Sequence, residues 1–416
     1  MNLPKYSIGI GDRFGRQGVA QLRAVIKAQR EHLPIAPVWN KSHREHTIIG
    51  SVPGDVRNEA DRAVQALGFD GAYFVDADHI ALETVEEFLA PSDFFTLDVA
   101  ELIGVEPDEK LLAGFLRKYR PYVGKLQIPG IHEPLDVSQQ NLETAARKFL
   151  GAIKEAGRIY RRIERSKGTD SFVTEVSMDE TERPQTPAEM LFILAAVAEE
   201  GIPAQTIAPR FSGRFNKGVD YAGDVAALTK EFEQDLAVIA FAVGEFRLPG
   251  NLKLSIHSGS DKFSIYGPMH DALQRFDAGL HLKTAGTTWL EELIGLAVAG
   301  GDGLKIAKEI YRTALERFDE LCTPYASVVA IDRDALPAAD AVDTWDGATF
   351  AAALRHEQTC RRYDPNLRQL LHVGYKIAAE MGDRFTDALE KHAGVIAENV
   401  AENIYDRHIR PLFFGE

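Results

Sequence analysis

Eight short apolar segments alternate with longer segments of helical periodicity, and this alternation constrains the fold more than any other feature. The short segments are rich in β-branched and aromatic residues, as buried strands are, and cover residues 6–10, 34–39, 71–77, 94–99, 171–178, 206–211, 252–257 and 281–286. Helices are predicted between them over residues 18–30, 58–67, 142–165, 187–200, 224–241 and 270–276. Eight such units predict an α/β fold, a (β/α)8 barrel of TIM type. A doubly wound sheet uses the same units, but it rarely supplies eight without a second domain.

The chain after the eighth predicted strand has a helical pattern almost throughout. We therefore expect a catalytic barrel over residues 1–287 and a helical extension over residues 288–416. No low-complexity linker separates the two parts. We expect the extension to pack on the side or across the mouth of the barrel, and not to fold independently.

Charge and composition exclude several classes of partner. The formal net charge of -15 over 416 residues argues against nucleic acid and against an anionic membrane surface. The chain has two cysteines, no signal-peptide pattern and no apolar run long enough to span a membrane. We therefore expect a cytoplasmic protein that acts on a small molecule. The oligomeric state, including a homo-oligomer, stays open.

Charged or metal-binding side chains follow each predicted strand at its carboxyl end. These ends surround one rim of a barrel, where the catalytic residues of this fold lie. The clearest case is residues 254–266, where an apolar strand gives way to the sequence HSGSDK. Unpaired polar groups are costly inside a strand. We therefore interpret these strand ends as parts of one site.

Imidazole and carboxylate side chains at this rim form a candidate metal site. His79, Glu175 and His257, helped by Asp76 or Asp78, would hold a divalent ion. Such donors suit Zn, Mn, Co or Ni. A single histidine is more often a hydrogen-bonded core residue, but the three motifs DADH, EVSMDE and IHSGSD together favour the site.

The same rim carries candidates for binding an anionic substrate. The cations are at the ends of four predicted strands, and arginine suits bidentate contact with a carboxylate or phosphate. The predicted substrate-binding set is Asp12, Arg13, Arg210, Ser258, Lys262 and Lys283. Each cation could instead pair with a neighbouring carboxylate, and the sequence leaves that alternative open.

No nucleotide cofactor is expected. The segment GIGDRFG at residues 9–15 has glycines spaced GxGxxxG, one residue longer than the dinucleotide-binding fingerprint. The segment AGGDGLK at residues 299–305 lacks the GKS or GKT ending of a phosphate-binding loop. The chain also lacks a GxSxG motif, which argues against a serine hydrolase.

Several of these segments together resemble the tagaturonate/fructuronate epimerase family. They are FVTEVSMDETERPQTP, IAPRFSGRFNKGVDYAGD, LSIHSGSDKFSIY and HLKTAGTTWLE, with GIGDRFG, SHRE and VDADHI at the earlier strand ends. The resemblance spans about Ser7 to His372 and implies a barrel, a divalent metal, and a centre containing Asp78, His79, Glu175 and His257. One departure lies after the fourth strand, where Asp98-Val99-Ala100-Glu101 stands in place of the expected Asp-Pro-Ser-Asp-His.

The implied reaction inverts C4 of a 2-keto hexuronate. The C4 proton is not adjacent to the C2 ketone, so its direct removal gives no stabilised enolate. Cleavage of C3–C4 by retro-aldol chemistry avoids this problem, whereas transient oxidation at C4 needs a nicotinamide site. We therefore expect a metal-assisted retro-aldol reaction with Asp78 or Asp179 as general base. The alternatives are another metal-dependent sugar-acid isomerase, 3-epimerase or aldolase, and a non-catalytic sugar-acid-binding protein.

Overall fold

A closed barrel of parallel strands forms the centre of the computed structural model, which describes residues 1–179, 181, 183–284 and 286–416. The barrel strands are β1 (Tyr6–Gly9), β2 (Ile35–Ser42), β3 (Phe74–Ile80), β4 (Phe94–Asp98), β7 (Val173–Ser177), β8 (Thr206–Ala208), β9 (Lys253–His257) and β10 (Leu280–Lys283). Between β4 and β7, β5 (Gly124–Leu126) and β6 (Leu135–Val137) form a separate antiparallel pair. The barrel strands pair in chain order, and β10 closes on β1. The predicted barrel is confirmed.

Helices connect successive strands on the outside of the barrel. They are α1 (Gly18–Arg30), α2 (His43–Ile49), α3 (Pro53–Leu67), α4 (Val85–Phe88), α5 (Glu109–Tyr119), α6 (Gln139–Lys167), α7 (Pro187–Glu199), α8 (Val225–Phe246) and α9 (Phe263–Phe276). All six predicted helices are present. Three begin earlier than predicted: α3 starts with a proline in its first turn, a favoured position, α6 starts at Gln139, and α9 continues through Pro268.

Alternate residues of each strand point inward, and they divide the barrel interior into two layers. Ala36, Val38, Phe74, Phe94 and Val173 form a small apolar cluster with Leu3 toward the amino ends of the strands. Above this cluster the inward side chains are polar. The predicted loops after the second and third strands are partly strand, because Asn40 and Ser42 of β2 pair with Asp76 and Asp78 of β3. The larger core lies between the strands and the helices.

The extension is helical, as predicted, and it packs against the barrel helices. Its helices are α10 (Gly286–Ala299), α11 (Gly301–Glu316), α12 (Phe318–Cys322), α13 (Ala339–Asp343), α14 (Gly347–Leu354), α15 (Pro365–Val373), α16 (Tyr375–Glu380), α17 (Asp383–Lys391) and α18 (Ala393–Glu402), followed by a π-helix at Asn403–Phe414. Helix α18 packs on α1, and the π-helix packs on α1 and α9. The predicted boundary between residues 287 and 288 falls inside α10.

Candidate functional site

A cavity of about 390 Å³ lies at the carboxyl ends of the barrel strands. Its volume is in the range usual for small-molecule sites. The barrel contributes residues from the ends of β2, β3, β4, β9 and β10, from the first turn of α2 and from the loops that follow β1, β7, β8 and β9. The extension contributes Pro324, Tyr325, Ser327 and Val328. The extension therefore forms part of the wall of the cavity.

Two imidazoles and one carboxylate meet at the floor of this cavity. His79 Nε2 lies 3.3 Å from Asp179 Oδ1, and His257 Nδ1 lies 3.1 Å from Asp179 Oδ2. One donor atom from each residue lies within 4.8 Å of the other two. We refer to His79, Asp179 and His257 as the triad.

A second carboxylate holds the far nitrogen of each imidazole. Asp78 Oδ1 lies 2.9 Å from His79 Nδ1, and Glu175 Oε1 lies 2.7 Å from His257 Nε2. Histidines that bind metals are commonly held in this way, because the outer carboxylate orients the ring and increases its basicity. The sequence placed Glu175 among the ligands and Asp179 among the bases. The geometry groups Asp179 with the imidazoles and places Glu175 behind His257.

The backbone of β3 turns His79 toward the cavity. His79 has φ of +53°, in the left-handed region that residues with a side chain seldom adopt. The pairing of β3 with β4 shifts register between Ala77 and Ile80, which is the mark of a β-bulge. Bulges of this kind re-aim side chains next to functional sites.

The triad fits a divalent metal ion. Its donors, two imidazole nitrogens and a carboxylate oxygen, are those that Zn, Mn, Co and Ni accept. The contact of His257 Nδ1 with Asp179 lacks hydrogen-bond alignment, so this buried nitrogen has no hydrogen-bond partner among the described residues. Burial disfavours a charged ring, but Asp179 and Glu175 raise the pKa of His257 to about 9. The surrounding carboxylates thus favour positive charge at this point.

Lys283 lies inside the barrel beneath the triad. Its Nζ is 2.7 Å from Asp76, 2.8 Å from Asp78 and 3.0 Å from Glu175, and it donates to Thr96 Oγ1 at 2.6 Å. Burial opposes its charge, yet the three carboxylates raise the pKa of Lys283 well above its usual value. The predicted role of Lys283 was substrate binding. Lys283 lines the cavity, so that role stays a prediction, and its ion pairs also make it the counter-ion of three buried acids.

The other predicted substrate-binding residues divide between the cavity and the structure behind it. Arg13 and Arg210 line the cavity. Asp12 instead accepts backbone N–H groups of residues 14, 16 and 17, at 2.9, 2.5 and 2.5 Å, and so stabilises the turn after β1. Ser258 is buried and donates to the carbonyl of Lys283 at 2.8 Å. Glu180, beside Asp179 at the same predicted strand end, lies outside the described residues.

Lys262 is fully buried and does not line the cavity. Its Nζ donates to the carbonyl oxygens of Val219 at 2.8 Å, Asn216 at 3.1 Å and Asp261 at 3.2 Å, and it also contacts Ser260. Burial lowers the pKa of Lys262 to about 7. The ammonium therefore connects the loop after β9 to residues 213–222, the β8 loop, which lines the cavity.

Removal of this ammonium should loosen the β8 loop. We expect Lys262→Ala to lower the free energy of unfolding by about 2–3 kcal/mol, since several hydrogen bonds to a charged group are lost. Ammonium chloride should restore part of this stability without substrate, because an ammonium ion can occupy the vacated oxygen cage. Urea unfolding with ammonium or sodium chloride at equal ionic strength measures both effects. Unchanged stability in Lys262→Ala would contradict this structural role.

The lining residues that were absent from the predicted set include Arg44, Lys217 and Tyr325. Arg44 and Lys217 lie in the segments SHRE and RFNKG, which carry the family resemblance, so a signal for them existed. Tyr325 comes from the extension. Its approach to the barrel mouth has no local signature in the sequence.

Comparisons with known proteins agree on one family. The chain matches the model of the tagaturonate epimerase family over residues 1–412. A tagaturonate/fructuronate epimerase of Thermotoga maritima is 30% identical over 420 residues, covering 97% of this chain and 80% of that protein. The fold resembles a glycerol-complexed crystal structure of a fructuronate-tagaturonate epimerase from Cohnella laeviribosi, with a TM-score of 0.81 and 23% identity over 99% of this chain and 82% of that chain. The native crystal structure of the Cohnella protein gives a TM-score of 0.80 and 23% identity over 98% and 81%.

Proposed function

Because this chain belongs to the tagaturonate epimerase family, we propose that it interconverts tagaturonate and fructuronate with a divalent metal ion held by the triad. The observation that carries the metal proposal is the grouping of His79, Asp179 and His257, each imidazole backed by a second carboxylate, at the floor of the cavity. The enzyme is proposed to act in the cytoplasm on a small-molecule substrate.

The chemistry must invert C4 although the ketone is at C2. A divalent ion held by His79, Asp179 and His257 would supply Lewis-acid polarisation of the substrate ketone. The C3–C4 bond then breaks with its electrons drawn toward C2, which leaves an enediolate on one fragment and an aldehyde at C4 on the other. Rotation of the aldehyde and re-formation of the bond on its other face invert C4.

Asp78 is the proposed base for the C4 hydroxyl. Of the three carboxylates around Lys283, Asp78 lines the cavity, whereas Asp76 and Glu175 do not. Burial alone would favour its neutral form, but Lys283 and His79 hold the pKa of Asp78 well below its usual range. Asp78 is therefore ionised at neutral pH and can accept the hydroxyl proton as C3–C4 breaks. It returns the proton when the bond re-forms.

Proton NMR of tagaturonate in D2O, with and without prior chelation of the protein, tests this proposal. We expect fructuronate without deuterium on carbon, because retro-aldol cleavage leaves each carbon-bound hydrogen in place. Chelation should stop turnover, and Zn, Mn, Co or Ni should restore it. Deuterium at C3 would instead indicate an isomerase or 3-epimerase. Turnover that survives complete metal removal would overturn the metal proposal.

A further inference from the structure

Three cations from different segments of the barrel rim lie against two tyrosines of the extension. The Arg13 guanidinium lies 4.4 Å from the centre of the Tyr375 ring. Arg44 and Lys217 lie 5.3 and 5.6 Å from the centre of the Tyr325 ring. Both tyrosines are buried, and their hydroxyls are 2.9 Å apart. We call Arg13, Arg44 and Lys217 the cation wall.

The aromatic faces fix the cations in place. A ring attracts a cation through its quadrupole, so each tyrosine helps to position the charge that lies over it. Other contacts also hold the wall. The Arg13 Nε atom lies 3.2 Å from Glu45, and Arg13 Nη1 donates to the Gly286 carbonyl at 3.3 Å. The Lys217 backbone N–H donates to the Val328 carbonyl at 2.7 Å, which joins the β8 loop directly to the extension.

The cation wall and the triad line the same cavity but differ in charge and in donor chemistry. The floor presents the imidazoles and carboxylates of Asp78 and the triad, with the Lys283 ammonium among them, while the wall presents guanidinium and ammonium groups, with Glu45 beside Arg13. Lys217 Nζ lies 3.9 Å from the point that a Cβ atom at Gly259 would occupy, so the ammonium lies over the turn two residues beyond His257. Gly259 has φ of +66°, which suits glycine. A ligand in this cavity would therefore meet the two surfaces together.

We propose that the cation wall binds the substrate carboxylate and thereby makes the enzyme select sugar acids over neutral ketoses. This inference rests on the proposed function, because it assigns the two ends of a 2-keto hexuronate to the two surfaces. The carboxylate lies at the wall, and the ketone end faces the triad. Arginine and lysine donors form their strongest hydrogen bonds with such an anion. Through Tyr325 and Tyr375, the extension sets the position of these donors.

The first test compares tagaturonate with tagatose, which has a hydroxymethyl group in place of the carboxylate. For Lys217→Met and Arg44→Gln, we expect the ratio of kcat/KM for tagaturonate to that for tagatose to fall by roughly 10- to 100-fold, mainly through KM for tagaturonate. Lys110→Met, an exposed charge removal on α5, is the matched control. An unchanged ratio in both wall variants would overturn the inference.

Tyr325 offers a second matched pair. Tyr325→Leu removes the ring beneath Arg44 and Lys217, so the ratio should fall in the same direction. Tyr325→Phe keeps the ring and loses the hydroxyl, so it should keep most of the selectivity. Equal ratios for the two variants would contradict the role of the aromatic face.

Binding without turnover separates failure of this inference from failure of the proposed function. Isothermal titration with galactonate and galactitol, which differ by one carboxylate, should show tighter binding of galactonate by the wild-type protein. Lys217→Met should lose most of that preference. Absence of the preference in the wild type, or its full retention in the variant, would overturn the wall assignment. A wild-type protein that shows the preference but does not convert tagaturonate would contradict only the proposed function.

Discussion

Replacement of His257 by alanine should abolish epimerisation and remove the bound divalent ion while the barrel stays folded. His257 supplies one of the three donor groups of the triad and is positioned by Glu175 at 2.7 Å. Loss of a ligand removes metal-based polarisation worth several kcal/mol, so we expect turnover to fall by at least about a thousandfold. Metal content by mass spectrometry, turnover by NMR and circular dichroism of the fold measure the three parts of this expectation.

Two variants separate metal binding from other consequences of histidine loss. His43 also lines the cavity but is not part of the triad, so His43→Ala should retain the ion. Glu175→Gln keeps the triad but removes the carboxylate that holds His257 Nε2. Metal affinity should therefore fall by about 10- to 100-fold, as is typical when a residue that orients a metal ligand is changed. A His257→Ala protein with a full complement of metal, or with wild-type turnover, would rule out the proposed centre.

Replacement of Lys283 by methionine should destabilise the protein by about 3–5 kcal/mol at neutral pH, because it leaves buried charges without a partner. The ammonium lies within 3.0 Å of Asp76, Asp78 and Glu175. Both Lys283 and Glu175 are buried almost completely, so the acids that remain are poorly solvated. Urea unfolding measures the change.

The loss of stability in Lys283→Met should depend on pH. In the wild type, burial opposes ionisation, but Lys283 lowers the pKa values of Asp78 and Glu175 well below their usual range. These acids therefore contribute stability above their unfolded pKa values of about 4, and that stability is lost as the pH falls through their folded values. In the variant the lowering effect of Lys283 is lost, so the same pKa values rise and these acids contribute less stability above about pH 4 than in the wild type. The difference in the free energy of unfolding between the wild type and the variant should widen from pH 4.5 to pH 8.

A double variant checks the cause. Asp76→Asn combined with Lys283→Met removes one of the uncompensated charges, so it should be more stable than Lys283→Met alone at pH 8. The sequence-based prediction for Lys283 was direct substrate binding. That role would give a large rise in KM for tagaturonate with wild-type stability at every pH, and this result would contradict the counter-ion role.

The barrel could be predicted from sequence because its signals are local. A buried parallel strand must be apolar over a few residues, and the helix after it must show a helical period, so each unit is visible without its neighbours. The eight predicted strands and six predicted helices appear in the structure. The strand ends likewise identified His79, His257 and Asp179 as candidates, because unpaired polar groups next to a buried strand are costly and therefore indicate a site.

The division of roles within the site depended on tertiary structure. Lys262 and Lys283 look alike in sequence, each at a strand end, yet one ammonium lies among carbonyl oxygens and the other among carboxylates. A bulge in β3 and the pairing of neighbouring strands determine which way each side chain points, and neither feature is encoded by adjacent residues.

The sequence by itself thus determined the barrel, the rim that carries the candidate site and the candidate residues around it. Only the tertiary structure grouped Asp179 with the imidazoles and brought Tyr325 beside Arg44 and Lys217. The physical reason is the distance along the chain over which the deciding contacts act. Hydrophobic periodicity is set by contacts within a single element, whereas a binding site is set by long-range packing between elements far apart in the chain.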